Sequence, residues 1–320
     1  MKRILVTGGS GFIGANLTRC LLRDGHEVHL LLRESHRTWR VREIESDVDI
    51  FPVNLEDRDA VAGAVHSIGP EWVFHLAAHG GYSEQKDCDR MVATNISGSM
   101  ALLDACVKTG VEAFVQAGSS SEYGYKDHAA REDERIEPNS PYAVTKAAAT
   151  HYCQFVARQH GLNAVTARLY SIFGPFEEPT RLFPGLVKYG LRGELPPLVS
   201  PGTAHDFVYV EDAVQAMLQI AAAPPAAPGS VYNICSGVQH DLASVVAVAR
   251  DLMHVSAEPV WSQMPPRPWD TATWIGSPDL MKQEMGWTAK TTLEAGMKRT
   301  IDWFRRLPDW LREFYEQPIC

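Results

Sequence analysis

Up to about residue 170, short apolar runs alternate with amphipathic stretches. The alternation predicts strands at Ile4–Thr7, Glu27–Leu32, Ile50–Val53, Trp72–Leu76, Ala113–Gln116 and Ala164–Leu169. Between them, apolar positions recur at helical spacing over Gly14–Asp24, Arg58–Ser67, Met91–Thr109 and Tyr142–His160. Strands that are apolar throughout and separated by helices imply βαβ units, so the expected fold class is α/β, a doubly wound parallel sheet covered on both faces.

The texture changes after Gly174. Pro175, Pro179, Pro184, Pro196, Pro197 and Pro201 suit loops and short elements rather than further βαβ units. Val231–Cys235 reads as a strand returning to the sheet and Leu242–Met253 as a helix. The expected division is a main sheet domain over 1–174, with return segments at about 205–220 and 231–255. A smaller, discontinuous lobe is expected from about 175–204 plus 256–320.

The 320 residues carry a net charge of −9, and their 30 Lys and Arg are scattered, which argues against a nucleic-acid binder. No apolar run reaches the roughly 18 residues of a membrane span. The start, Met1-Lys2-Arg3-Ile4, enters a strand pattern without a secretory h-region, and six cysteines lie apart with no CxxC pair. No metal site is expected, and a reduced cytoplasmic setting is.

Gly8, Gly11 and Gly14 follow the first strand and open the first helix with GxxGxxG spacing. Glycines there let backbone turn tightly and approach a pyrophosphate lying at a helix N-terminus. The second strand ends at Arg33, with Arg37 and Arg40 behind it. An arginine in that place accommodates a ribose 2′-phosphate, so NADP(H) is favoured and NAD(H) remains possible. Asn54 and Leu55, after the third strand, are placed for an adenine contact. Tyr142 and Lys146 share one helix face at i,i+4. A lysine charge beside a phenol lowers its pKa and suits the tyrosine to acid/base work on a hydroxyl or ketone. Ser119, Ser120 and Ser121 follow a strand end, where open α/β sheets place their ligands.

Together these residues resemble the extended short-chain dehydrogenase/reductase family, of the NAD-dependent epimerase/dehydratase type. The resemblance also rests on His75-Leu76-Ala77-Ala78, Asn95, Arg168-Leu169-Tyr170 running to Phe173-Gly174-Pro175, Asp206–Asp212, Tyr232-Asn233 and Gly286-Trp287. It implies a Rossmann-type sheet and a catalytic set of Ser119, Tyr142 and Lys146, with Ser120 next in line if the register shifts by one. It implies a cofactor contacted by Gly8, Gly11, Phe12, Ile13, Gly14, Arg33, Asn54, Leu55, Leu76, Ala77, Ala78, Asn95, Tyr142, Lys146, Tyr170 and Ile172. It implies a nucleotide-diphosphate sugar contacted by His79, Ser120, Ser121, Arg181 and Arg267. It further implies a homodimer whose four-helix bundle uses the helices Met91–Thr109 and Tyr142–His160.

The pattern departs from the family in three places. Ser120 and Ser121 stand where dehydratases carry an Asp-Glu pair, and Glu122, one position on, is expected to point to the opposite, strand-like face. Ser171 replaces a frequent Asn, and His205 a frequent Arg, so the phosphate clamp is expected to be rebuilt with Arg181. These features make an NDP-4-keto-6-deoxyhexose 4-ketoreductase the leading expectation, with hydride passing between NADP(H) and C4. The alternative is an NDP-sugar 4-epimerase holding NAD(P)+ tightly; a dehydratase, a decarboxylase or a non-catalytic NADP(H)-binding protein ranks behind.

Overall fold

The computed structural model describes all residues except 83, 224–225, 266–270 and 318–320. Seven strands form one parallel sheet: β1 (Arg3–Thr7), β2 (Glu27–Leu32), β3 (Asp49–Pro52), β4 (Trp72–His75), β5 (Ala113–Ser119), β6 (Ala164–Leu169) and β9 (Val231–Ile234). Their spatial order is β3-β2-β1-β4-β5-β6-β9. The chain reverses its direction of travel between β1 and β4, and a crevice opens at their C-terminal ends. The other three strands, β7 (Ser171–Phe173), β8 (Ala204–Tyr209) and β10 (Gln239–Asp241), make a small sheet in the order β10-β8-β7.

The helices are α1 (Phe12–Arg23), α2 (Arg58–Ile68), α3 (Cys88–Met91), α4 (Ser99–Thr109), α5 (Pro141–His160), α6 (Leu182–Gly190), α7 (Val210–Ala222), α8 (Leu242–Met253), α9 (Asp279–Met285), α10 (Leu293–Arg305) and α11 (Asp309–Glu316). A π-helical stretch, Val92–Gly98, joins α3 to α4. Local chemistry sets the ends of α5: the Ser140 side chain accepts from Ala143 N–H, Pro141 fills the first turn, and Gly161 closes the helix at φ 69°. No helix among the described residues is long and apolar enough to cross a membrane.

Strands buried on both faces explain the unbroken apolar runs, Ile4–Val6 being fully enclosed. One face packs α1, α7 and α9 through Leu17, Met217 and Met281, and the other packs α2, α4 and α5 through Val65, Leu102 and Val156. A third cluster gathers Phe183, Leu186, Phe207, Val245, Met297, Phe304 and Leu311 from α6, β8, α8, α10 and α11. The chain thus interleaves the two layers: β9 completes the large sheet and α9 covers it, whereas α8, within 231–255, packs with the lobe.

Two segments differ from the periodicity reading. Strand β5 runs on to Ser119, and residues 120–123 turn into a 3-10 helix rather than continuing as a strand. The turn forms because Ser119 and Glu122 make a reciprocal capping box, with Ser119 N–H donating to Glu122 Oε1 at 2.8 Å. The segment after β2 does not stay on its own domain either. Trp39 packs against Phe314 and Tyr315 of α11, with ring centroids 4.5 and 5.7 Å apart.

Candidate active site

A cleft of about 800 Å³ opens between the large sheet and the lobe. Its sheet side is lined by Gly8, Gly11–Gly14, Leu76, Ala78, Gly118, the three serines, Tyr142 and Lys146. Its lobe side is lined by residues 177–183, Leu198, His205, Phe207 and Trp274. Tyr170 and Ile172 lie at the join.

The glycine motif fits a dinucleotide. Gly8 sits at φ 71°, and a side chain there would come within 2.6 Å of Ala77 N. A Cβ on Gly14 would overlap the Gly8 carbonyl. Helix α1 starts at Gly11 without a side-chain cap, which leaves its first N–H groups directed at the cleft for an anion.

Beneath that loop, His75 is fully enclosed and its proton can be located. Ser99 Oγ donates to the Asn95 carbonyl at 2.6 Å, so His75 Nε2–H donates to Ser99 at 2.8 Å. Nδ1 then accepts from Thr7 Oγ1 at 2.6 Å, and Thr7 accepts from Ala77 N–H at 3.3 Å. Burial, followed by the Lys146 charge, pushes the imidazole down to about 3. His75 is therefore a neutral strut under the glycine loop.

The residues expected to be catalytic come together between the end of β5 and the first turns of α5. Ser119 Oγ lies 2.7 Å from Ser121 Oγ and hydrogen-bonds Tyr142. Lys146, enclosed on α5, donates from Nζ to the Ala117 carbonyl at 2.6 Å. The expectation that Lys146 depresses the tyrosine is overturned. Burial and then the Glu122 charge raise Tyr142 to about 12, with the Ser119 hydrogen bond pulling the other way. Lys146 itself is pushed down by burial, against the pull of Glu122. The phenol is thus a proton donor at neutral pH.

Glu122 faces away from the cleft. Its carboxylate accepts from Arg168 Nε at 2.9 Å, with both side chains enclosed and the Arg168 guanidinium over the Tyr123 ring. Gly118, opposite Arg168 in the β5–β6 register, leaves room for the pair; a Cβ there would lie 2.9 Å from Glu122 Oε1. No carboxyl on the serine turn reaches the cleft.

Six expected contacts do not line the cleft. Leu55 is packed into the core, and Asn54 is exposed, with its Oδ1 accepting from Glu56 N–H. Ala77 faces the core. Asn95 is buried, and its carboxamide is consumed by His79 N–H, the His79 carbonyl and Thr145 Oγ1 at 2.8–2.9 Å, so it ties the loop after β4 to α5. His79 is held there through its backbone. Arg33 is exposed, while Arg37 and Arg40 pair with Glu178 at 2.9 and 2.8 Å. Arg267 lies outside the described residues. Arg181 does line the cleft, donating to the Gly81 carbonyl at 2.6 Å and lying over Tyr82.

The cleft also contains residues the motifs did not single out. Trp274 donates from Nε1 to Ser120 Oγ at 3.0 Å and so fixes the middle serine. Tyr82, Glu177 and Glu178 line it as well. The eight tryptophans give no positional signal for Trp274, and the remaining three become visible only once the lobe is folded over the sheet.

A family model described as the NAD dependent epimerase/dehydratase family matches residues 4–235. A trifunctional UDP-glucose 4,6-dehydratase/UDP-4-keto-6-deoxy-D-glucose 3,5-epimerase/UDP-4-keto-L-rhamnose-reductase of Arabidopsis thaliana is 24% identical over 97% of this chain; the chain spans about half of that protein, 48%. The UDP-glucose 4-epimerase of Thermotoga maritima, solved with UDP-glucose, is 29% identical, with a TM-score of 0.85 over 95% of this chain and 98% of that one. The UDP-glucose 4-epimerase of Thermus thermophilus, solved with NAD, is 30% identical, with a TM-score of 0.84 over 96% and 100%.

Proposed function

The chain belongs to the NAD-dependent epimerase/dehydratase family, and from that premise we propose that it is an NDP-hexose 4-epimerase that retains a nicotinamide dinucleotide. The observation that carries this reading is the burial of Glu122 on Arg168, which leaves only hydroxyls on the serine turn beside Tyr142 and Lys146. Elimination of a hydroxyl needs an acid there, whereas carbonyl–alcohol interconversion at C4 needs only a proton donor and a hydrogen-bonding hydroxyl.

Gly8–Gly14, Leu76, Tyr142, Lys146, Tyr170 and Ile172 would hold the dinucleotide, which supplies a hydride acceptor and donor when bound. Tyr142 exchanges a proton with the oxygen on C4, Ser119 hydrogen-bonds that oxygen, and Lys146 holds the tyrosine's side of the pocket. Lobe residues 179–183 and His205 grip the rest of the nucleotide sugar, so remote binding energy positions C4.

Retention of the cofactor is supported by the ties that clamp the lobe to the segment after β2, Arg37 and Arg40 to Glu178 among them. The same pairs take up two of the three arginines that a 2′-phosphate would use, which favours NAD(H). Exposed Arg33 supports the second reading, an NADPH-dependent 4-ketoreductase. Val92, Val144 and Phe155 are about half exposed on the π stretch and α5, which supports a homodimer through these helices. The test is to denature purified protein, identify any released nicotinamide, and incubate UDP-glucose without added cofactor. NAD near one per chain with formation of UDP-galactose supports the epimerase. Release of no nicotinamide, with NADPH consumed on a 4-keto sugar, overturns it in favour of the reductase.

A further inference from the structure

The turn between β7 and α6 carries a carboxyl group that the reaction above does not use. Glu177 is enclosed, lines the cleft, and has no hydrogen-bond partner for Oε2 among the described residues. An unpartnered buried carboxyl is costly, yet the backbone around it is fixed from three directions. Arg40 Nε donates to the Phe176 carbonyl at 2.7 Å, Tyr315 Oη donates to the Glu177 carbonyl at 2.6 Å, and Glu177 N–H donates to Gly174 O at 3.3 Å. Phe176 is held at φ 68°, the left-handed region that a bulky residue avoids. Strained backbone and an unanswered polar group in one turn indicate a position kept for a ligand.

The neighbouring charges locate that ligand. The Arg181 and Arg40 charges act on the Glu177 carboxyl, and Arg181, which lies over the Tyr82 ring, lines the same cleft. Arg181 and Tyr82 also act on Tyr142. Glu178, the other acid of the turn, is taken up by Arg37 and Arg40, and Tyr315 closes the far side. Glu177 and Tyr142 line the same cleft, the space in which a sugar presented to Tyr142 would lie.

Resting on the epimerase/reductase reading above, we propose that Glu177 is a sugar-binding residue that hydrogen-bonds a hydroxyl of the hexosyl ring and so selects a neutral, hydroxylated hexose. Burial outweighs both arginines and raises the carboxyl to about 8. At neutral pH it is therefore an acid that can both donate to and accept from a hydroxyl. As pH rises past 8 the donor is lost and an unpaired anion is left in its place.

The test is titration calorimetry of UDP-glucose, dTDP-glucose and the corresponding free diphosphates against wild type, Glu177→Gln and Glu177→Ala as purified, and of NAD against the same proteins stripped of nicotinamide, at pH 7 and pH 9. For the nucleotide sugar that binds, Glu177→Ala is expected to lose about tenfold or more in affinity while the free diphosphate and NAD change less than about twofold. Glu177→Gln, which keeps a neutral donor, is expected to stay within a few fold of wild type at pH 7. It should also lack the weakening that wild type shows at pH 9. Equal losses for sugar and free diphosphate, a loss confined to NAD, or no loss at all would overturn the proposal. If no nucleotide sugar binds wild type while NAD does, the underlying reading fails and takes the proposal with it.

Discussion

Glu122 and Arg168 meet at 2.9 Å directly behind the serine turn, both sealed from solvent. The pair lies directly behind the proposed catalytic residues: Glu122 caps Ser119 with one oxygen and neutralises Arg168 with the other. Glu122→Ala or Arg168→Ala alone should cost about 3–5 kcal/mol, because each leaves an unpaired buried charge. In a double-mutant cycle by chemical denaturation, the double variant should recover a large part of that loss. Additive losses would mean that the two groups are energetically independent.

Tyr142→Phe is expected to lower turnover by about 10²–10⁴-fold with little change in melting temperature, since only a hydroxyl is removed. With Tyr142 raised to about 12, single-turnover oxidation of the sugar, which needs the phenolate, should accelerate with pH above 8. Reduction should stay flat over the same range. A rate of oxidation that levels off at pH 7 would show that the tyrosine ionises far more readily in the working enzyme.

The neutral His75 makes stability acid-sensitive. Its folded pKa, about 3, lies below the usual 6.5, so the unfolded chain binds the extra proton between those values. The stabilisation is complete above 6.5 and is lost as pH falls towards 3, by about 2 kcal/mol at pH 5. His75→Gln should be less stable than wild type at pH 7 but show a shallower decline from pH 7 to pH 5. Parallel decline curves for the two proteins would assign the acid sensitivity elsewhere.

The arginine ties to Glu178 predict a kinetic effect. Glu178→Gln removes the charge that Arg37 and Arg40 share and should speed NAD release by about tenfold, measured by stopped-flow displacement. The structure at β1 and β5 should be unaffected. An unchanged release rate would mean that the lobe does not gate the cofactor.

The sequence shows where local chemistry decides. Glu27–Leu32 is a strand because each of its apolar residues is buried between two helical layers, and its limits are the same in sequence and structure. The glycine turn and the Tyr142/Lys146 face follow from spacing alone. The serine turn does not, because a capping box between Ser119 and Glu122 overrides the strand periodicity. Nor does the tyrosine's pKa, which depends on the burial of Tyr142 itself and on the Glu122 charge. The contacts of Arg40 with Phe176 and Glu178 and of Tyr315 with Glu177 join positions more than 130 apart in the chain. Such partners leave no mark in a window of neighbouring residues.

The place of β9 has a consequence for synthesis. As the ribosome extends the chain past β6, that strand is the open edge of a six-stranded sheet, with its row of amides and carbonyls unpaired. The strand that covers it ends at Ile234, about 65 residues later, after β7, α6, β8 and α7 have all been made. For that interval the nascent protein carries an adhesive border. Slowing translation between Leu169 and Val231 should therefore raise the aggregated fraction more than an equal delay after Ile234.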